Sequence, residues 1–171
     1  MAYYTGVAED FNALCDYETA SYFFTRCLEV SIENKYDIGE ALALQGLGKC
    51  EENVLNIFDA QTNLERARDK AVISEEKKIT KDISRDLVRV YQIIALDFQE
   101  KNEFDLSLKY FEKCLESSQA AENKDQESEC YQKIAHIYEK LNDLDKAVEY
   151  LNKFLALCEG MDKSKAGEAH K

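Results

Sequence analysis

Apolar residues recur along this chain with the spacing of amphipathic helices. One apolar stripe consists of Tyr91, Ile94, Ala95 and Phe98. Its spacing of i, i+3, i+4 and i+7 is that of one face of an α-helix. A second stripe consists of Ser107, Phe111 and Cys114. Between the stripes, Asn102 can take the left-handed conformation that ends a helix, and Asp105 suits the positive start of the next helix. The segment therefore predicts two antiparallel helices joined by a short turn.

The same order of residues occurs four times. Forty residues downstream it reads Tyr131, Ile134, Ala135, Tyr138, then Ala147, Leu151 and Phe154. The first copy begins at Tyr4, and a weaker copy begins at Leu44, with Glu51 where an apolar residue is expected. The copies start 40, 47 and 40 residues apart. They predict one array over residues 1–158, with repeats at about 1–34, 41–74, 88–121 and 128–160. Residues 159–171 form a polar tail that we expect to be flexible.

Small residues recur where the two helices of a pair would approach most closely. On the first helices they are Ala8, Gly48, Ala95 and Ala135. On the second helices they are Ala20, Ala60, Ser107 and Ala147. A large side chain at either position would force the two helices apart. Cys27 and Cys114, late in the second helices, are interpreted as small buried apolar residues.

This pattern resembles the tetratricopeptide repeat family, whose motif of alternating large and small residues spans about 34 residues. The resemblance covers residues 1–158 and implies an all-α fold, a right-handed superhelical solenoid of antiparallel helix pairs. The spacing of 40 is longer than 34, and the proline that usually closes each repeat is absent. Both features are typical of the long-repeat branch of the family, in which helices and inter-repeat turns are extended.

In such an array the first helices line a concave groove that binds peptides, helices or protein surfaces. The predicted groove residues are Thr5, Glu9, Gln45, Lys49, Arg89, Gln92, Gln132, His136 and Lys140. Gly46 occupies a further groove position. Members of the family that bind chaperone tails hold a carboxylate with a set of Lys and Asn residues. That set is not found at these positions, which disfavours a chaperone-tail adaptor.

Composition and charge exclude several other classes. The 171 residues include no proline and only six glycines, too few for the tight turns of a sandwich or barrel. The net charge of −12 disfavours nucleic acid as a partner. No apolar run is long enough to predict membrane insertion. Six scattered cysteines without a Cys-x-x-Cys pair favour free thiols in a reducing compartment, with disulfides as the alternative.

The chain shows no pattern that predicts catalysis. His136 and His170 are its two histidines, and Cys130 lies on roughly the far side of the helix from His136. A nucleophile and its base must lie within hydrogen-bond reach of each other. No phosphate-binding glycine loop and no metal-ligand spacing occurs. We therefore expect a non-enzymatic protein with no cofactor and no metal.

One charged feature could bind an acidic partner. A possible basic stripe consists of Lys77, Lys81, Arg85 and Arg89. It would lie on a helix capped by Ser74, with Glu75 and Glu76 in the first turn. Asp82 and Asp86 lie beside the stripe and partly neutralise it, so a solvated helix face is the alternative.

The last helix has more apolar residues than one neighbouring helix would cover. They are Val148, Leu151, Phe154, Leu155 and Leu157. The array is therefore expected to continue into further repeats, or a partner covers this end. The alternative is that the final helix folds over its own groove.

Within the family, four segments resemble the repeat array of an axonemal member from motile cilia and flagella. They are residues 22–31, 41–48, 87–92 and 100–104. The resemblance implies a scaffold in a dynein-associated assembly, with axonemal dynein or microtubule-associated subunits as partners. It also implies a cytoplasmic or cytoskeletal location in the axoneme. The alternatives are a cytosolic cargo, vesicle or polarity adaptor, and a sensor that closes its groove on a signalling peptide.

Overall fold

The structure is a computed structural model that describes residues 2–168, with side chains from residue 3 to residue 161. Over these residues the chain forms eight helices and no strand. The helices are α1 (Ala2–Ala13), α2 (Tyr17–Glu33), α3 (Asp37–Asn53), α4 (Ile57–Ile73), α5 (Lys77–Glu100), α6 (Phe104–Ala120), α7 (Lys124–Lys140) and α8 (Leu144–Glu168). The all-α prediction is confirmed.

The same three-residue turn joins each helix to the next. The middle residue of each turn has a positive φ, between 50° and 67°, although none of these residues is glycine. The residues are Cys15, Lys35, Leu55, Glu75, Asn102, Glu122 and Asn142. The next residue donates its backbone N–H to a carbonyl five positions back, as Glu103 does to Phe98 at 2.9 Å. The predicted left-handed conformation of Asn102 is confirmed, and Asn142 adopts it at the equivalent position. The other turns show that the chain does not need glycine to make this turn.

Helix length explains the spacing of the repeats. Five of the helices, α2, α3, α4, α6 and α7, have 17 residues each. Two such helices and two three-residue turns make a repeat of 40. The longer spacing of 47 arises because α5 has 24 residues, seven more at its N-terminus. Seven residues make nearly two complete helical turns, so the extension leaves the apolar face in phase. The inter-repeat turns are not longer than the others, contrary to the expectation from the sequence.

The start of α5 differs from the prediction. Ser74 does not cap α5, because it ends α4 and its hydroxyl donates to the carbonyl of Lys70 at 2.8 Å. Glu75 takes the left-handed turn conformation, so α5 begins only at Lys77. The two glutamates thus precede the helix instead of forming its first turn.

The chain divides into two compact units, Met1–Val90 and Tyr91–Lys171. In unit 1, Ala8, Ala20, Phe24 and Cys50 form a buried cluster. In unit 2, the buried cluster consists of Ala95, Phe111, Ile134, Ile137, Tyr138 and Ala147. All eight predicted small positions are buried. Cys27 and Cys114 are buried as expected, and the Sγ atom of Cys114 lies 3.2 Å from that of Cys130.

Helix α8 runs further than the repeat pattern indicated. It continues to Glu168, so residues 159–168 of the predicted tail are helical. This segment lacks proline and contains Ala, Lys, Glu and Met, which favour helix. The rest of the predicted tail, residues 169–171 with His170, lies outside the described residues.

Candidate partner-binding groove

A depression of about 150 Å³ lies between α1 and α3 in unit 1. Its lining residues are Thr5, Glu9, Asn12, Phe24, Leu42, Gln45, Gly46 and Lys49. Four of them, Thr5, Glu9, Gln45 and Lys49, are predicted groove residues. The first helices of the first two pairs therefore share a concave face.

The apolar part of this depression depends on Gly46. A Cβ atom at this position would lie 2.4 Å from the ring of Phe24, a distance that real side chains do not tolerate. The absence of a side chain on α3 thus allows the Phe24 ring of α2 to pack directly against the helix backbone. The sequence pattern placed Gly46 in the groove, but its structural role is to make room for Phe24.

A second depression, of about 310 Å³, lies between α3 and the N-terminal part of α5. It is lined by Gln45, Lys49, Asp82, Arg85, Asp86 and Arg89. Gln45 and Lys49 line both depressions, so the two are adjacent. We call the residues that line either of them the unit 1 groove.

The carboxylate of Asp86 lines the second depression and binds three other side chains. It is only 6% exposed, and it accepts a hydrogen bond of 2.6 Å from Nε2 of Gln45. Its oxygens also lie 3.3 Å from Nζ of Lys49 and 2.9 Å from Nη1 of Arg89. The predicted groove residue Gln45 is therefore buried and already hydrogen-bonded, and Asp86 holds three groove side chains in fixed positions.

Arg89 links α5 to α3. Its Nε and Nη2 atoms donate to the two carboxylate oxygens of Glu52 at 3.1 and 2.9 Å. The hydrogen bonds from Glu52 raise the pKa of Arg89 above its ordinary value, although desolvation opposes them. With about half of its side chain exposed, Arg89 presents a rigid cation at the edge of the groove.

Arg85 and Arg89 of the predicted basic stripe are neutralised by carboxylates of the chain. Arg85 pairs with Asp82 at 2.7 Å, and Arg89 pairs with Asp86 and Glu52. Lys77 is exposed and Lys81 is half-buried, and both lie in the seven-residue extension of α5. The pairing follows the alternation of acids and bases that the sequence shows.

The remaining predicted groove residues lie in unit 2. Gln132, His136 and Lys140 follow one exposed face of α7 at intervals of four residues, and Gln92 is half-buried on α5. Nδ1 of His136 lies 3.4 Å from a carboxylate oxygen of Glu139. Cys130 is buried while His136 is exposed, so the two do not form a nucleophile and base pair.

Residues 86–160 match the family model described as tetratricopeptide repeat. The match covers 75 of the 171 residues, so it shows that this segment is similar to tetratricopeptide repeats. No curated protein matches the chain. The tetratricopeptide match falls on α5–α8, where the repeat pattern of the sequence is clearest.

Solved structures share the fold over nearly the whole chain. BtubC (BKLC) from P. vanneervenii is similar with a TM-score of 0.58 and 15% identity, covering 93% of this chain and 63% of that one. The apo form of RapI is similar with a TM-score of 0.57 and 11% identity, covering 97% of this chain and 58% of that one. The putative kinesin light chain repeats of Podosopora anserina are similar with a TM-score of 0.51 and 11% identity, covering 91% of this chain and 74% of that one. This chain thus spans less than two thirds of the length of BtubC and of RapI.

At these identities the likeness shows the fold alone. It confirms the predicted all-α fold of antiparallel helix pairs. The tetratricopeptide repeats matched by residues 86–160 suggest a protein-interaction scaffold. None of these matches supports an axonemal protein, and in particular they do not support the axonemal tetratricopeptide repeat protein twenty-nine that four segments of the sequence resemble. No helix within residues 2–168 has the length and apolar character needed to span a membrane.

Sequence reasoning missed Asp86 and Phe24 as groove residues and Glu52 as the partner of Arg89. Asp86 is 41 positions from Gln45, and it falls on the turn of α5 beside the seven-residue extension, so no repeat position predicted the contact. Phe24 occupies an ordinary core position of α2. Its place in the groove follows from the glycine on α3, which only the structure shows to be opposite it.

Proposed function

We propose that the unit 1 groove binds an extended or helical segment of a partner protein, and that the chain is a non-enzymatic scaffold. One observation carries the proposal. Side chains at this groove are held in place before any ligand binds, because Asp86 fixes Gln45, Lys49 and Arg89 around an open depression. Fixed side chains lose little conformational entropy on binding, and this favours affinity.

The lining offers both apolar and charged contacts. Phe24 and Leu42 supply an apolar surface between α1 and α3, and Leu42 is 40% exposed. Charged side chains of both signs follow towards α5, so the groove has no large net charge despite the net charge of −12 for the chain. A segment with one apolar anchor side chain and mixed polar neighbours fits this surface best.

For the setting of this scaffold we propose the axoneme of motile cilia or flagella, with a dynein-associated or microtubule-associated subunit as the partner. The support is the resemblance of residues 22–31, 41–48, 87–92 and 100–104 to an axonemal member of the family. The alternative is a cytosolic cargo, vesicle or polarity adaptor. It is favoured by the fold similarity to repeats of a putative kinesin light chain.

The test is capture of partners by the immobilised chain from lysates of flagellated and non-flagellated cells, with mass spectrometry of the bound proteins. Leu42→Arg places a long cation in the groove. The matched control is Leu106→Arg on α6, because Leu106 is also 40% exposed but lies outside the groove. Axonemal subunits that bind the wild type and the control, and are lost with Leu42→Arg, support the proposal.

Other outcomes separate its two parts. Trafficking or polarity proteins captured from both lysates, and lost with Leu42→Arg, would keep the groove and replace the axonemal setting by the adaptor. Equal capture by Leu42→Arg and the wild type would exclude the unit 1 groove as the binding surface.

A further inference from the structure

The second helices of the four pairs have one equivalent apolar position. It is occupied by Phe24, Leu64, Phe111 and Leu151. The first three are exposed by 5%, 0% and 0%, whereas Leu151 is 38% exposed. The difference lies in the surroundings, since the residue types are alike.

A whole row of side chains shows the same contrast. On α6, Phe104, Leu108, Phe111 and Leu115 all pack into the buried cluster of unit 2, which includes Ile134 and Ile137 of α7. Forty residues later, the equivalent residues of α8 are Leu144, Val148, Leu151 and Leu155. They are exposed by 61%, 56%, 38% and 55%. Among the described residues, α8 therefore presents a face made to be covered by a helix, as α7 covers α6.

Helix α1 carries the surface that would match the exposed face of α8. In unit 1, the Phe24 ring of α2 packs against α3 at Gly46. Gly6 occupies the equivalent position on α1, forty residues earlier. A Cβ atom at Gly6 would meet no atom within 4 Å, so this position is open. Tyr3, one turn before it on α1, is 75% exposed.

We propose that α8 of one copy of this chain packs against α1 of a second copy, with Leu151 lying over Gly6 as Phe24 lies over Gly46. The second copy is the occupant that the molecule itself indicates, because one chain carries both halves of a contact that it already makes between α2 and α3. The α8 face and the α1 face are different surfaces, so the contact is head-to-tail. A row of copies would always have one uncovered α1 face at one end and one uncovered α8 face at the other.

The driving force of this contact is apolar burial, and charge opposes it. Each copy has a net charge of −12, so two copies repel each other at low ionic strength. Salt screens this repulsion. Association should therefore strengthen with NaCl, which is opposite to the behaviour of a contact made by ion pairs.

The experiment is sedimentation of the full chain over a range of concentrations, at low and at high NaCl. We expect the mean mass to rise above the single-chain mass of 19.7 kDa with concentration, and to rise further at high NaCl. Leu151→Glu and Gly6→Leu should each abolish this rise. The control is Phe58→Glu, because Phe58 is a 58% exposed apolar residue on α4, and this variant should associate like the wild type.

The Gly6→Leu variant is expected to remain folded, so a loss of association in this variant reports on the contact and not on unfolding. Gly6 has open space around it, and leucine favours helix more than glycine, so Gly6→Leu should unfold thermally no earlier than the wild type. Mixing the two variants gives the sharpest test. Gly6→Leu keeps a working α8 face and Leu151→Glu keeps a working α1 face, so the mixture should form a species of two chains and nothing larger.

Three results would overturn the proposal. The first is a wild type that sediments as a single chain at every concentration and salt level, which would leave the α8 face to a different protein. The second is a Gly6→Leu variant that associates like the wild type, which would point to an α8-to-α8 contact. The third is a mixture of the two variants that stays monomeric.

Discussion

The hydroxyl of Ser107 on α6 donates a hydrogen bond of 2.8 Å to the backbone carbonyl of Ala95 on α5. Both residues are fully buried, and both are small positions of the repeat pattern. The bond shows that the two helices approach closely enough for a side-chain oxygen to reach the backbone of the neighbouring helix. The sequence predicted this closeness from side-chain size alone.

Two substitutions at Ser107 test this contact. Alanine occupies the equivalent positions at residues 20, 60 and 147, so Ser107→Ala removes only the hydrogen bond and should cost about 0.5–1.5 kcal/mol of unfolding free energy. Ser107→Leu adds volume where none is available and should cost about 1–3 kcal/mol. Urea unfolding followed by circular dichroism measures both. Equal stability of the leucine variant and the wild type would disprove the close approach.

Gly46 and Gly6 form a matched pair for a second prediction. Gly46→Ala should destabilise the chain by about 1–3 kcal/mol by overpacking, because the new Cβ atom would collide with the Phe24 ring. Gly6→Ala meets no atom within 4 Å and should stabilise the chain by about 0.5–1 kcal/mol, since alanine favours helix. Urea unfolding of both variants is the measurement. A stabilising Gly46→Ala would contradict the packing of Phe24 against α3.

Asp86 and Asp82 lie one helical turn apart on α5 but differ in burial. Asp86→Ala should cost about 1–3 kcal/mol, because it leaves Gln45 without its acceptor and two cations without their shared carboxylate. The cost stays moderate since Lys49 and Arg89 are 39% and 46% exposed and can be rehydrated. Asp82→Ala breaks an exposed pair and should change stability by about 0.5 kcal/mol or less. Similar losses in both variants would show that burial of Asp86 is unimportant.

The surroundings of Glu127 predict that the stability of the fold depends on pH. Burial raises the pKa of its carboxyl, but hydrogen bonds from Lys124, Gln119 and Tyr131 outweigh burial and hold the pKa below the ordinary value of 4.5. The folded state therefore binds this proton less readily than the unfolded state. The stability due to Glu127 is fully present above pH 4.5 and is lost as the pH falls through the lower, folded-state pKa.

The measurement is the unfolding free energy at neutral pH and at several values below pH 4.5. Glu127→Gln should lower stability at neutral pH and reduce the loss of stability in acid. Glu116→Gln is the control, at an exposed position on α6, and should retain the full loss in acid. An unchanged acid dependence in Glu127→Gln would rule out its contribution.

The parts of the fold that follow from neighbouring residues were predictable, and the parts that join distant residues were not. Asn102 and the small residues at 95 and 107 follow rules that operate within one helix pair, and the structure agrees with them. Gly46 and Gly48 show the limit. They are two positions apart on α3, yet Gly48 faces Leu64 of α4 while Gly46 faces Phe24 of the preceding pair. A pattern defined within pairs predicts the first contact and has no information on the second.

The predicted cap at Ser74 was wrong, and the place of Asp86 in the groove was missed, for a related reason. Seven additional residues precede the repeat pattern in α5, and the 17-residue helices α3 and α7 have no equivalent segment. The repeat alignment therefore gave no guide to where α5 begins or to what its first turns contact. The groove network around Asp86 depends on those turns, so the candidate site was predicted only in part.

Because the turns before and after a helix pair have the same form, a whole pair can be removed from the chain or added to it. The turn around Lys35 and the turn around Glu75 have the same form and lie forty residues apart. Removing residues 37–76 would therefore connect the end of one turn to the start of α5 without a new loop, and duplicating the same segment would add one pair. A protein built in this way can grow or shrink by whole helix pairs, with each junction already able to fold.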